Sequence, residues 1–123
     1  DLTDGIGKDR SGIKYLYYLG VDGIISTKSA LIKLAKEAGL LTVQRFFAYD
    51  THGVDGIEDV IENSNPDFIE IMPGVIDKIT NRFSKCGIPL IAGGLLETKQ
   101  ETINALNAGA FAVSTGKEAL WNM

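Results

Sequence analysis

The sequence has few of the residues that mark disulfide-linked, metal-binding or membrane proteins. Its 123 residues include one cysteine, one histidine and one tryptophan. The single Cys86 cannot form an internal disulfide, which is typical of proteins from a reducing compartment. No His and Cys residues have the spacing of metal ligands, and the longest apolar runs have only the length of strands. We therefore expect a cytoplasmic protein without a metal, a membrane span or a secretory signal.

An excess of positive charge is also missing. The chain has 12 Lys and Arg residues against 16 Asp and Glu residues, which gives a formal net charge of -4. Proteins that bind nucleic acid usually carry a basic surface, so this balance does not by itself predict such a partner. The length and the 45% of hydrophobic residues allow one domain with a sizeable core. We expect residues 1–123 to form a single partial domain.

A unit of an apolar run, a polar or glycine-containing turn and an amphipathic helix repeats along the sequence. Six apolar runs are predicted strands, and the first ends within DLTDGIGKD at the start of the sequence. The later runs are GVDGIIST, LLTVQRFFAYD, DFIEIMPG, IPLIAGGL and AFAVSTG. Ser29 can cap the helix that follows the second run. Strands that alternate with helices predict parallel βαβ units and therefore an α/β protein.

Two α/β architectures fit this repeat, an open doubly wound sheet and a (β/α) barrel. Every predicted strand ends in polar or small residues, and a ring of such groups is typical of a barrel. An open sheet concentrates its functional groups at one switch point. We therefore predict a TIM-barrel-like fold with six of its eight strand–helix units in this chain. The remaining units are expected to precede Asp1, or a second chain is expected to close the barrel.

Two successive strands end in small residues that can expose backbone N–H groups, Gly93-Gly94 and Ser114-Thr115-Gly116. In many barrels a phosphate binds the loops after strands seven and eight, beside a short extra helix. With two units in front, these loops take those places, and residues 117–121 take the place of the helix. The alternative for each loop alone is a tight connection with hydroxyl caps. Together the loops predict a phosphorylated small molecule as the ligand.

Charged residues at other strand ends add to the candidate site. Arg45 can hold a phosphate or a carboxylate as a bidentate fork, or it can form a structural ion pair with Glu70. Glu70 is flanked by isoleucines and is expected to point into the barrel, where it can accept hydrogen bonds from ligand hydroxyls or act as a base. Lys8 can reach over the barrel mouth. Asp9 is most simply explained as a residue at a helix N-terminus.

One predicted helix carries a basic stripe. Lys78, Arg82 and Lys85 recur at steps of four and three residues. A solvent-exposed helix face explains this spacing, and a contact with nucleic-acid phosphates is the alternative. No pair of acid and base residues stands out beyond Glu70 and Asp4, so no catalytic residue is predicted.

Several runs together resemble one protein family. The runs are DGIISTK, TVQRFFAYD, PDFIEIMPG, PLIAGGL and ALNAGAFAVSTGKEALW. They resemble the glycerol-3-phosphate-responsive antiterminators, which are the glycerol uptake operon antiterminators of bacteria. The resemblance covers nearly the whole chain in order and spacing. The IAGGL motif alone is shared by many phosphate-binding barrels, but the combination is specific.

The resemblance implies a function that composition does not show. It implies a small barrel that binds glycerol 3-phosphate and then the leader of glycerol-catabolic messenger RNA, preventing premature termination without turnover or a cofactor. Carried onto this chain, it implies a ligand site formed by Gly93, Gly94, Ser114, Thr115, Ser26, Arg45, Glu70, Lys8 and Asp9. Gly116 replaces a third small polar residue that is common in the family. The family's N-terminal part is expected to be absent here.

Two other functions remain open at this stage. The first is an enzyme on the same barrel, of the phosphosugar isomerase or prenyl-glycerol-phosphate synthase type, because a fold does not fix a function. The second is a partial barrel that functions only as a homo-oligomer, since bare sheet edges favour association.

Overall fold

The computed structural model describes residues 19–47, 53–74, 77–94 and 96–115. Within these ranges five strands alternate with four helices. In chain order the elements are β1 (Gly23–Ser26), α1 (Ser29–Glu37), β2 (Leu41–Phe47), α2 (Gly53–Ser64), β3 (Phe68–Met72), α3 (Asp77–Phe83), β4 (Leu90–Gly93), α4 (Lys99–Asn107) and β5 (Ala112–Ser114). The first predicted strand and the predicted turn of helix at residues 117–121 lie outside the described residues.

The five strands form one parallel sheet in the order β1-β2-β3-β4-β5. A doubly wound sheet reverses its strand order at a switch point, and this sheet does not. Each new strand is added on the same side, so right-handed crossovers place the helices on one face of the sheet. This arrangement confirms the predicted TIM-barrel-like α/β class. The described strands form an open arc of such a barrel, with one face toward the helices and an inner face.

The main core lies between the sheet and the helices. Its buried side chains are apolar and come from β2, β3, β4, α2 and α3: Phe46, Ile57, Ile61, Ile69, Ile71, Phe83 and Leu90. Successive side chains of a strand point to opposite faces. The strand residues between these core positions therefore point to the inner face of the arc.

Ser29 has a role different from the predicted helix cap. The N-cap of α1 is Lys28, which makes no side-chain cap hydrogen bond. The Ser29 hydroxyl instead accepts a hydrogen bond from Nε2 of the buried Gln44 at 3.0 Å. The Ser64 hydroxyl donates to Oε1 of the same amide. A buried amide requires partners for both of its ends, so Ser29 and Ser64 connect α1 and α2 to β2 through Gln44.

A second polar cluster lies at the amino ends of the strands, which we call the amino edge. Oδ2 of Asp67 accepts hydrogen bonds from the Thr42 backbone N–H at 2.9 Å and from the Thr42 hydroxyl at 3.1 Å. The Asp67 backbone N–H donates to the Thr42 hydroxyl at 3.0 Å. Lys36 Nζ lies 3.5 Å from Asp67 Oδ1. Burial raises the pKa of Asp67, but the Thr42 hydrogen bonds and the Lys36 charge outweigh it, so this pKa lies below its ordinary value of 3.8.

Apolar side chains are exposed near the amino edge. Ile25 and Leu41 are 48% and 55% exposed, and Phe111 is 69% exposed. The rings of Phe68 and Phe111 lie 6.1 Å apart with an interplanar angle of 41°. Within the described residues no helix is long and apolar enough to cross a membrane.

Candidate functional site

We call the side of the sheet at the carboxyl ends of the strands the carboxyl edge. Toward this edge, the inner face carries one candidate residue from each of four successive strands. Arg45 on β2 is the register partner of Glu70 on β3, and Gly93 on β4 is the partner of Ser114 on β5. The Glu70 side chain joins the two pairs, because a Cβ built on Gly93 would lie 2.6 Å from its Oε1. The neighbouring strand residues pack toward the helices, so alternation places these four residues on the inner face. They form one continuous surface.

An ion pair lies at the centre of this surface. Arg45 Nε lies 3.2 Å from Glu70 Oε1, and the two side chains are 36% and 3% exposed. The Nε atom is buried and makes no hydrogen bond of good geometry, so the contact is mainly electrostatic. The structure thus contains the ion pair between Arg45 and Glu70 that sequence analysis gave as one of two alternatives for Arg45. It also confirms that Glu70 points into the barrel.

The two glycines after β4 are required for different reasons. A side chain on Gly93 would collide with the Glu70 carboxylate, so this glycine makes room for a buried charge. Gly94 has a φ of +73°, a left-handed conformation that favours glycine. Sequence analysis explained the two glycines differently, as residues that expose backbone N–H groups to a phosphate. Phosphate binding by these N–H groups stays a prediction.

Sequence reasoning missed Gly74, which holds the loop after β3 against β4. A Cβ on Gly74 would lie 2.9 Å from both the Ala92 backbone and the Gly93 nitrogen. The Gly74 N–H also donates a hydrogen bond to the Gly93 carbonyl. A glycine directly after a strand-ending proline was the available signal, since Gly at a strand end often marks a close approach of backbones.

The loops after β4 and β5 are also joined to each other. The Thr115 hydroxyl donates a hydrogen bond to the Leu96 carbonyl at 3.0 Å. Ser114, one residue earlier, is exposed at the end of β5. Thr115 therefore holds the two predicted phosphate loops together, and Ser114 offers its hydroxyl to solvent at their junction.

The N-terminus of α4 is closed by its own side chains. The Thr98 hydroxyl accepts from the Glu101 N–H at 3.1 Å, and Oε1 of Glu101 accepts from the Glu97 and Thr98 N–H groups at 3.1 Å. This capping box pairs one N–H group of the helix, that of Glu101, and the two N–H groups that directly precede the helix.

Comparison with known proteins assigns the chain to a family. A model of the glycerol-3-phosphate responsive antiterminator family matches residues 1–121. The chain belongs to this family. Its resemblance to these antiterminators, inferred from the sequence motifs, is thereby confirmed.

Solved structures and a curated relative agree with this membership. The glycerol uptake operon antiterminator regulatory protein of Listeria monocytogenes superposes with a TM-score of 0.91 at 35% identity, over 99% of this chain and 67% of that chain. A glycerol uptake operon antiterminator-related protein of Thermotoga maritima gives a TM-score of 0.86 at 34% identity, over 98% of this chain and 69% of that one. The Escherichia coli K12 protein YgcP is 37% identical over all of this chain and 65% of its own length.

The chain spans about two thirds of the length of these relatives. A more distant likeness, to the YdjI aldolase of Escherichia coli K12, has a TM-score of 0.66 at 15% identity over 90% of this chain and 50% of that one. At this identity the likeness shows the fold alone, and it agrees with the barrel class.

Ser26, which the family resemblance assigns to the ligand site, lies at the end of β1. Ser26 is the register partner of Gln44, whose side chain faces the helices. Its hydroxyl accepts the Lys28 N–H at 3.0 Å, and the residue is 2% exposed. The side chain therefore lies on the helix side of the sheet, where it shapes the turn between β1 and α1. Strand alternation, applied from Ile25, was the signal that separates Ser26 from the inner face.

The basic stripe on α3 is partly neutralised. Arg82 Nε donates to Glu58 Oε1 on α2 at 3.0 Å, and Lys78 is exposed on α3. Because α3 ends at Phe83, Lys85 lies in the turn after the helix, where it is exposed, and the helix carries only two of the three predicted basic residues. An RNA contact by these residues stays a prediction. Within the described ranges no three His, Cys, Asp and Glu side chains cluster so that they could hold a metal ion.

Three residues of the predicted site, Lys8, Asp9 and Gly116, lie outside the described residues. Their part in the site stays a prediction.

Proposed function

We propose that this chain is a cytoplasmic regulator that binds glycerol 3-phosphate at the carboxyl edge and the leader of glycerol-catabolic messenger RNA elsewhere, without catalytic turnover. One observation carries the proposal. Arg45, Glu70, Gly93 and Ser114 lie on the inner face of four successive strands, with Gly93 at the end of β4 and Ser114 at the end of β5. In barrels of this class ligands bind at the carboxyl ends of the strands. The two similar solved structures, a glycerol uptake operon antiterminator and a related protein, support the choice of pathway.

The charges of the carboxyl edge divide the site into two parts. Glu70 is a carboxylate beside Gly93, and it would repel a phosphate placed against it. The exposed Ser114 and the left-handed Gly94 lie farther along the same edge and bear no charge. We therefore place the phosphate toward Gly94, Ser114 and Thr115, and the glycerol part toward Glu70 and Arg45. Lys8 and Asp9 are proposed to lie near the glycerol part, as the family resemblance implies.

Titration calorimetry tests the ligand. Glycerol 3-phosphate is expected to bind the purified protein well above glycerol and inorganic phosphate as controls. Ser114→Ala removes an exposed hydroxyl, and losing one hydrogen bond to a charged group, about 1.5–3 kcal/mol, should weaken binding roughly tenfold or more. Ser84→Ala, at the end of α3, is the matched control and should leave the affinity unchanged. Equal binding of glycerol 3-phosphate and inorganic phosphate would reduce the site to a general phosphate cradle.

The regulatory part of the proposal requires coupling between ligand and RNA. If glycerol 3-phosphate tightens binding of the leader RNA, the RNA must tighten binding of glycerol 3-phosphate by the same factor. Leader binding with and without the ligand is the measurement, and equal affinities would contradict the gating. A double substitution of Lys78 and Lys85 to Gln tests the RNA contact, since losing phosphate contacts should lower both the affinity and its salt dependence.

The absence of turnover has its own test. Glu70 is held in an ion pair with Arg45 and is assigned to ligand binding rather than to proton transfer. We expect no conversion of a panel of triose and pentose phosphates, followed by nuclear magnetic resonance. Conversion of any of them by the protein, lost in Glu70→Gln, would replace the regulator by an enzyme.

A further inference from the structure

The position of the Glu70 carboxylate is fixed more tightly than ligand binding alone requires. The residue is 2% exposed. Arg45 Nε lies 3.2 Å from Oε1 on the β2 side, and the bare Cα of Gly93 lies under the same oxygen on the β4 side. A carboxylate confined between two strands has little freedom to move away from a ligand that approaches along the inner face.

A carboxylate in an ion pair can only accept hydrogen bonds. A ligand hydroxyl that donates to it satisfies both groups. A carbonyl at the same position offers a second acceptor, so two partial negative charges face each other and the buried carboxylate gains no donor. A site built to bond a hydroxyl therefore rejects an analogue that cannot donate far more strongly than an apolar pocket rejects a change of size.

We propose that Glu70 is a specificity-determining residue that selects phosphate esters of polyols and rejects keto esters of the same size. Arg45 acts as a positioning residue, because it holds the carboxylate over Gly93. This inference rests on the proposed function, since it assumes that the phosphate occupies the carboxyl edge. It adds the chemical class that the site accepts: an alcohol, rather than a carbonyl, on the carbon next to the phosphorylated one.

Calorimetry with two ligands of nearly equal size and charge tests the inference without any variant. Glycerol 3-phosphate and dihydroxyacetone phosphate differ at one carbon, which carries a hydroxyl in the first and a carbonyl in the second. The wild-type protein is expected to bind glycerol 3-phosphate at least tenfold more tightly. Similar affinities for the two esters, both above inorganic phosphate, would overturn the role of Glu70 and leave the proposed function intact. Binding of neither ester above inorganic phosphate would overturn both.

Glu70→Gln tests the residue itself. The amide can donate a hydrogen bond to a carbonyl, so the ratio of the two affinities should fall toward one or reverse. The matched control is Glu62→Gln, an exposed position on α2 that should keep the wild-type ratio. A ratio unchanged in Glu70→Gln would contradict the inference.

A second variant keeps the test independent of folding defects. Glu70→Asp retains an acceptor-only carboxylate and withdraws it by one methylene. It should weaken both ligands while keeping the preference for the alcohol. Circular dichroism of each variant establishes that it is folded, and loss of the preference in a folded Glu70→Asp protein would also count against the assignment.

Discussion

The carboxylates at the two edges of the sheet have opposite environments. At the amino edge, Asp67 accepts two hydrogen bonds from Thr42 and lies near Lys36, although its side chain is 33% exposed. At the carboxyl edge, Glu70 is almost fully buried, and its contact with Arg45 lacks hydrogen-bond geometry. In barrels the amino face serves stability and the carboxyl face serves function. The difference is the one expected if the carboxyl edge binds the proposed ligand.

This arrangement has a cost. A buried charge destabilises the fold unless all its hydrogen-bonding and ionic partners are present. An ion pair adds little stability where one of its two members remains exposed to solvent. Arg45 keeps about a third of its side chain exposed. Functional sites commonly keep such incomplete interactions while the rest of the fold stabilises them. The following substitutions test whether the amino edge contributes mainly to stability and the carboxyl edge mainly to ligand binding.

The largest effect is expected for Gly93→Ala. The new Cβ would lie 2.6 Å from Glu70 Oε1, so the carboxylate must leave its place over β4 and its contact with Arg45. We expect a loss of unfolding free energy of about 1–3 kcal/mol, as for other overpacked sites, and an approximately hundredfold loss of ligand affinity. Urea denaturation and calorimetry with glycerol 3-phosphate measure the two quantities.

Gly87→Ala is the control for Gly93→Ala at the opposite edge. Gly87 precedes β4 with a φ of +88°, and a Cβ there would meet no atom within 4 Å. The substitution should cost about 1–2 kcal/mol from the left-handed conformation alone and leave ligand affinity unchanged. If both variants lose affinity equally, the effect of Gly93→Ala is a general loss of stability and the comparison of the edges fails.

The next effect belongs to the amino edge. Asp67→Asn removes the charge and weakens the bonds from Thr42, and hydrogen bonds to a charged group contribute about 1.5–3 kcal/mol. We expect a loss of about 1–2 kcal/mol in denaturant unfolding with no change in ligand affinity. Asp59→Asn, on the exposed face of α2, should change neither quantity. A loss of ligand affinity in a folded Asp67→Asn protein would show that the amino edge is not purely structural.

The sequence predicted the parts of this protein that depend on periodicity. Alternating apolar runs and amphipathic helices identified the five described strands, and polar strand ends identified the barrel class. Glu70 between isoleucines was correctly placed on the inner face for the same reason. The register of Ser26 with Gln44 shows on which side of the sheet its side chain lies, and its part in the ligand site stays a prediction.

Tertiary contacts explain what the sequence could not reveal. The reason for Gly93 lies in a carboxylate 23 residues earlier, and the hydroxyl of Ser29 bonds to an amide 15 residues later. Local signals favoured a phosphate-binding loop and a helix cap at these two positions. Neither local pattern contains the distant partner that determines what each residue contacts.

The pH dependence of stability offers a smaller test of the amino edge. Because the folded protein lowers the pKa of Asp67 below its ordinary value of 3.8, ionised Asp67 stabilises the fold. This contribution is fully present above pH 3.8 and is lost as the pH falls through the lower pKa of the folded state. The wild-type protein should therefore lose its advantage over Asp67→Asn in acid, as measured by denaturant unfolding between pH 7 and pH 2.5. A constant difference across that range would contradict the assignment.

The smallest effect is expected away from both edges, at the ion pair between Arg82 and Glu58. The two side chains are 47% and 43% exposed, and exposed pairs contribute about 0–1 kcal/mol. Arg82→Gln should therefore change unfolding free energy by less than about 1 kcal/mol, an effect that added salt should reduce further. Urea denaturation at low and high salt measures it. A cost as large as that of Asp67→Asn would mean that the contact between α2 and α3 depends on charge, and that the amino edge is not the main polar stabilisation of the fold.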